Sequence, residues 1–164
     1  MRFLLLLMVF VFSVFCYAQK AELVTQQKDL GTITFIDYSS DGKLIASGSA
    51  KDNLVKIWDV KSGKVLGTLS GHESATTVVK FVGNNEFVIS SDIKGKSILW
   101  DLQTWTLKDT LNHKSSLMSI TSIGNSRKVI LGDKNGALFQ TDLDGFKLGQ
   151  KIGQLKGEIT SLEY

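Results

Sequence analysis

Apolar residues along this chain recur in short runs and do not fall on a helical stripe. From Ile33 the runs read ITFIDY, LIAS and LVKIWDV, divided by Ser39-Ser40-Asp41-Gly42 and Asp52-Asn53. Short apolar or alternating runs bounded by Gly, Asn, Asp and Ser predict strands joined by tight turns. The pattern therefore predicts strand A around Ile33, Phe35 and Tyr38, read as largely buried, strand B over Leu44–Ser47 and strand C over Leu54–Val60. Gly42 suits a turn position with positive φ. Lys61-Ser62-Gly63-Lys64 is a hairpin turn into a fourth strand, D, over Lys64–Leu69.

This unit returns twice, with less fidelity each time. Trp58-Asp59 recurs as Trp100-Asp101 and decays to Thr141-Asp142, spaced by 42 and then 41 residues on the aspartates. The second unit places strand A at Val78, Val79 and Phe81, a turn at Gly83-Asn84-Asn85, and strand B over Phe87–Ser90. Strand C follows over Ser97–Leu102 and strand D over Thr106–Leu111. The third runs from about Met118 to Ile152, with a turn at Gly124-Asn125-Ser126, strand B over Val129–Leu131 and strand C over Ala137–Leu143. Asp144-Gly145 reads as a hairpin signal. A period of this size means a stack of like units, and a four-stranded propeller blade is the unit that fits it.

On these residues the chain resembles the WD40 repeat family from about residue 20 to its end. The expected fold is all-β: a partial β-propeller of three complete four-stranded antiparallel blades with an orphan strand at each end. Blade 1 is expected over about 30–70, blade 2 over 72–111 and blade 3 over 113–153. Ile159–Tyr164, ITSLEY, lines up with ITFIDY and begins a fourth unit, while Ala21–Gln26 matches the outer strands by position. Three blades and two orphan strands do not close a ring, and closure is what protects sheet edges. The expectation is an N-terminal piece of a longer protein; an assembly of several copies is the alternative.

The resemblance also implies a buried network in each blade: a His before strand A, a Ser or Thr on strand B, an Asp in the B–C turn and a Trp on strand C. Indole, imidazole and hydroxyl groups in a dry place must each find a partner. Blade 1 offers Ser47, Asp52 and Trp58, with Asp29 where the His would stand. Blade 2 offers Gly71-His72, Ser90 and Trp100, with Lys94 at the turn position six residues before the Trp. Blade 3 offers His113 alone, beside Leu131, Asn135 and Thr141. On this reading no blade has the full set. The family usually has proline at the position of Ser40; this chain has no proline at all, so Gly, Asn, Asp and Ser carry its turns.

The first 18 residues differ from the rest. Arg2 is followed by 16 uncharged residues, Phe3–Ala18, and Cys16-Tyr17-Ala18 puts small residues three and one before a cut ahead of Gln19. That is the layout of a cleaved secretory signal peptide, leaving 19–164 as the repeat region. An uncleaved anchor is disfavoured because the run is short for a ~30 Å hydrocarbon core. A lipoprotein is disfavoured by Val14-Phe15 before the cysteine. Cys16 is the sole cysteine, so the processed chain would hold no disulfide. The expected location is secreted or periplasmic.

Composition changes little. The net charge of +3, from 19 basic and 16 acidic residues, carries no nucleic-acid or membrane signature. Ser90, His72 and an Asp can be mistaken for a hydrolase triad, but no Gly-x-Ser-x-Gly elbow lies near these serines. Two histidines 41 residues apart match no zinc spacing, and the turn aspartates form no calcium loop. Phosphate-loop and dinucleotide glycine patterns are absent, so no cofactor or metal is expected. A quinone-dependent propeller enzyme is disfavoured by its different tryptophan motifs and required metal ligands. Lys51, Lys94, Lys96 and Lys134 fall near the B–C turns and would form a loose positive arc, either a face for an acidic partner or plain solvated turns. Trp105 reads as strand-edge packing or as an exposed anchor for a partner. The expected function is a non-catalytic scaffold binding a protein or peptide, with self-association through open sheet edges as a further expectation. The alternative is the recognition segment of an exported enzyme whose catalytic domain, for example peptidase-like, lies beyond residue 164.

Overall fold

A computed structural model describes residues 32–124 and 126–163. The leader, Ala21–Gln26, Asp29, Asn125 and Tyr164 lie outside the described residues. Among the described residues twelve strands follow in chain order. The first sheet holds β1 (Ile33–Tyr38), β2 (Leu44–Ser49), β3 (Val55–Asp59) and β4 (Val65–Leu69). The second holds β5 (Thr76–Val82), β6 (Phe87–Asp92), β7 (Lys96–Asp101) and β8 (Thr106–Asn112). The third holds β9 (Leu117–Ser122), β10 (Lys128–Asp133), β11 (Ala137–Asp142) and β12 (Gln150–Gln154). Each sheet is an antiparallel meander in which every strand pairs with its sequence neighbour.

The repeat extends to the irregularities. Register slips in the first strand pair of every sheet, between Ile33 and Phe35, between Thr76 and Val78, and between Gly132 and Asp133. It slips again in the third pair, between Ile57 and Trp58, between Leu99 and Trp100, and between Leu138 and Phe139. Bulges increase local twist, and twist placed at the same two points keeps the three sheets congruent for face-to-face stacking.

The core lies between sheets. Ala46, Val55, Ile57 and Leu69 of the first sheet pack against Val79, Phe81, Val88, Ile98 and Trp100 of the second. A second slab joins Val78, Phe87, Ile89, Leu99 and Leu111 to Leu117, Ile120, Val129, Leu131, Leu143 and Phe146. The middle sheet is therefore covered on both faces, which is why β6 is buried along its whole length. Polar links cross the same seams: Thr76 Oγ1 donates to Ser49 O (3.1 Å), Thr77 Oγ1 to Leu117 O (2.7 Å), and Lys80 Nζ to Asp37 Oδ1 (2.8 Å).

Three expectations are corrected. Strand A of the first blade is not a buried run: Ile33, Ile36 and Tyr38 are exposed, Ile36 to 58% and Tyr38 to 56%. An inner strand is buried by the blades on both sides, and among the described residues nothing precedes the first sheet. Asp144-Gly145 does not close a two-residue hairpin. Leu143–Gly145 is a short 3-10 turn, capped by the Asp142 side chain, and the chain runs on to Gln150 before β12 begins. Finally, 159–163 is not a hydrogen-bonded strand. It nevertheless occupies a strand A position: Ile159, only 4% exposed, and Leu162 lie over Gly132 as Thr76 and Val79 lie over Gly48.

Candidate functional site

The densest polar constellation lies inside the second blade. Gly71-His72 lies in the loop between β4 and β5, Ser90 lies on β6, and Trp100 lies on β7. Ser90 Oγ accepts from Trp100 Nε1 at 2.8 Å and stands 2.6 Å from His72 Nε2. His72 Nδ1 is 3.2 Å from Asp92 Oδ2. Asp92 Oδ1 also accepts from the backbone N–H groups of Lys94 and Lys96, both at 3.0 Å, and so shapes the β6–β7 turn. All four side chains are buried. Burial is the main reason His72 titrates below its ordinary range, with Asp92 opposing the shift.

The second blade therefore holds a full set, against the expectation that none does. The carboxylate comes from Asp92, eight residues before Trp100, and not from the position six before it, which is Lys94. The signal was available: β6 ends Ser-Ser-Asp and β10 ends Leu-Gly-Asp at the same register. Asp133 in the third blade makes the same turn bonds, accepting from Asn135 N (2.9 Å) and Ala137 N (2.8 Å). His113 does not reach it closely. Its Nδ1 lies 4.0 Å from Asp133 Oδ2 and 2.8 Å from Ser115 O. Leu131 and Thr141 leave this blade without the Ser–Trp bond.

In the first blade Trp58 Nε1 donates to Ser47 Oγ at 2.8 Å. Asp52 is not joined to that pair. It accepts from Leu54 N (3.1 Å) and pairs with Lys56 Nζ (3.4 Å). The structure thus brings together Ser47 with Trp58, and His72 with Ser90 and Trp100; Asp52 and His113 stand apart.

These arrangements leave little room for chemistry. A nucleophilic serine must meet substrate, and Ser90 is fully buried with its oxygen shared by an indole and an imidazole. Among the described residues no three His, Cys, Asp or Glu side chains come together as a metal site. Nor is any described helix long and apolar enough to cross a membrane.

The lysines lie at one end of the three sheets. Lys51, Lys94 and Lys134 are exposed on the β2–β3, β6–β7 and β10–β11 turns, and Ile93, 58% exposed, stands beside Lys94. Lys96 departs from the arc: it is half-buried and its Nζ donates to Gly71 O at 2.8 Å.

The WD40 family model (WD domain, G-beta repeat) matches residues 22–59 and 63–101, and the third blade lies outside both stretches. Periodic tryptophan protein 2 of Arabidopsis thaliana is 27% identical over 146 residues, which is 86% of this chain and 15% of that protein. Transcription initiation factor TFIID subunit 5 of Caenorhabditis elegans is 38% identical over 72 residues, or 44% of this chain and 11% of that one. The chain thus spans a small fraction of these relatives' length. Among solved structures, the computationally designed Ika4 protein shares the fold with a TM-score of 0.72 at 24% identity, over 87% of this chain and 86% of that one.

Proposed function

This chain carries WD40 repeats, and from that premise we propose that it is a non-catalytic scaffold that binds a protein or peptide through its loops. WD40 repeats serve broadly as frames for protein interaction, and a rigid frame with freely varying loops suits that role. The observation that carries the reading is the internal use of every buried polar group that resembles catalytic machinery. His72, Ser90, Asp92 and Trp100 hold one another. What remains for a partner is the loop end with Lys51, Ile93, Lys94 and Lys134, which suits an acidic segment carrying an apolar residue.

The apolar leader supports export and processing before Gln19. A second reading, a recognition segment within a longer protein, is favoured by one observation: the curated relatives are several-fold longer than the matched region. The test is affinity capture from the extracytoplasmic fraction of the native host, using the wild type and a Lys51→Glu/Lys94→Glu/Lys134→Glu variant. A protein held by the wild type and lost from the variant supports the proposal. Equal capture by both assigns the interaction to another face.

A further inference from the structure

A second feature lies at the opposite end of the first two blades. The turns between β3 and β4 and between β7 and β8 are built alike. Asp59 Oδ1 accepts from Ser62 N at 2.7 Å, and Asp101 Oδ1 accepts from Gln103 N (2.8 Å) and Thr104 N (3.0 Å). Four residues after each Asp the backbone turns left-handed: Gly63 has φ +66° and Trp105 has φ +59°. A left-handed conformation costs an ordinary L-residue roughly 1–2 kcal/mol and is an outlier for a bulky one. A tryptophan thus stands where the sister turn uses glycine.

What holds it there is a neighbouring glycine. The six-membered ring of Trp105 lies so close over Gly67 of β4 that an added Cβ would stand 2.5 Å from Cε3. The indole remains 40% exposed, and among the described residues it makes no side-chain hydrogen bond. Together with Leu44, Glu86, Phe87, Asp101 and Leu102, among others, it lines a cavity of about 400 Å³ between the two blades. Strain of this kind concentrates at ligand-holding sites.

The charges lining the cavity narrow the class of ligand. Glu86 is occupied by Arg127 (2.9 Å), which also pairs with Asp144 (2.8 Å). Asp101 Oδ1 takes both turn N–H bonds and the Thr104 side chain also acts on the carboxyl, but among the described residues Asp101 has no ion-pair partner. The Thr104 N–H, first among several donors, keeps this carboxyl below its ordinary range and therefore ionised. Two cations of the chain itself stand over Phe87: Lys108 Nζ and Arg127 Cζ each lie 5.1 Å from the centre of its ring. A flat aromatic face beside a carboxylate that has no ion pair matches a guanidinium, which stacks and pairs at once.

We propose that the cavity walled by Trp105 and Asp101 is a binding site for an arginine side chain of a protein or peptide partner. The site is separate from the lysine-bearing loop end, so it stands or falls independently of the function proposed above. Trp105 supplies the stacking face and the Asp101 carboxylate the counter-charge, with Leu44 and Leu102 in the apolar lining.

The test is a titration of the whole processed chain with N-acetyl-arginine amide and, separately, N-acetyl-citrulline amide, which is nearly isosteric and uncharged. The readout is the Trp105 indole N–H resonance, assigned by its absence in Trp105→Gly. The proposal expects a saturable shift with the arginine probe and at least a fivefold weaker response to citrulline. Asp101→Asn keeps an acceptor for the turn but removes the charge, and should weaken the arginine probe at least fivefold. Lys108→Ala should strengthen it severalfold. Trp105→Gly, followed by isothermal calorimetry because it lacks the reporter resonance, should show no binding of the arginine probe yet leave the midpoint of thermal unfolding unchanged or higher, because it restores the residue that the turn prefers. Equal response to both probes, or no response in the wild type, overturns the proposal. So does a Trp105→Gly chain that unfolds well below the wild type, since the tryptophan is then an inter-blade strut.

Discussion

Trp58 and Trp100 occupy the same place in successive blades and make the same bond, indole N–H to serine Oγ at 2.8 Å. Their surroundings differ. Trp100 is 2% exposed and packs with Ala46, Val55, Ile57 and Leu69 of the first blade. Trp58 is half-buried, because among the described residues no sheet stands before its own. His72 and Asp92 extend the Trp100–Ser90 pair into a closed set, while Asp52 turns away to Lys56. A repeat is a local sequence pattern, but its stability comes from the neighbour it faces. Stacked units are held by interface terms as much as by their own.

The comparison makes its largest prediction at the two tryptophans. Trp100→Ala empties a space shared by two blades and should cost about 3–5 kcal/mol. Trp58→Ala removes a ring that already meets solvent and should cost roughly half as much. Denaturant unfolding of both variants decides the matter, and equal costs would break the contrast. The next effect lies at the carboxylates. Asp92→Ala leaves His72 and two turn N–H groups without their partner and should cost about 2–4 kcal/mol. Asp52→Ala loses one half-exposed ion pair and one turn bond, and should cost about 1 kcal/mol or less. Swapped magnitudes in the same unfolding experiment would mean that the first blade relies on its turn carboxylate and the second does not.

A smaller effect comes from protons. Burial holds the folded-state pKa of His72 below its ordinary 6.5. The unfolded chain therefore binds the proton first as pH falls. His72's contribution is complete above pH 6.5 and is lost between 6.5 and the folded value. The exposed turn carboxylates act lower: Ser39, chiefly, holds Asp41 at about 2, so its contribution fades only below the ordinary 3.8. Stability measured from pH 7.5 to 5 should decline, and His72→Gln should flatten that decline. An unchanged slope in the variant would assign the proton uptake elsewhere.

Much of the fold was legible in the sequence because the period is carried by strand and turn chemistry that acts locally. The runs around Leu44, Leu54 and Phe87 became strands within a residue or two of their expected bounds, and the Gly83-Asn84-Asn85 turn has positive φ at all three positions. What was not legible depended on neighbours. The exposure of Ile36 and Tyr38 follows from what packs, or does not, against the outer face of the first sheet. Asp92 escapes a count back from Trp100 because its place is fixed by the end of β6. Trp105 could be read from its spacing to Asp101 against Gly63 from Asp59, but its contact with Gly67 arises between blades.

The most direct test is native-state hydrogen exchange followed strand by strand, since opening free energies vary across a structure. With intrinsic rates corrected, the amides of β6 and β7 should exchange about 100-fold more slowly than those of β1 and β2, a gap of about 2.7 kcal/mol. Protection that is even across the first two blades would contradict the account, because the buried set of His72, Ser90, Asp92 and Trp100 would then add nothing to the blade that contains it.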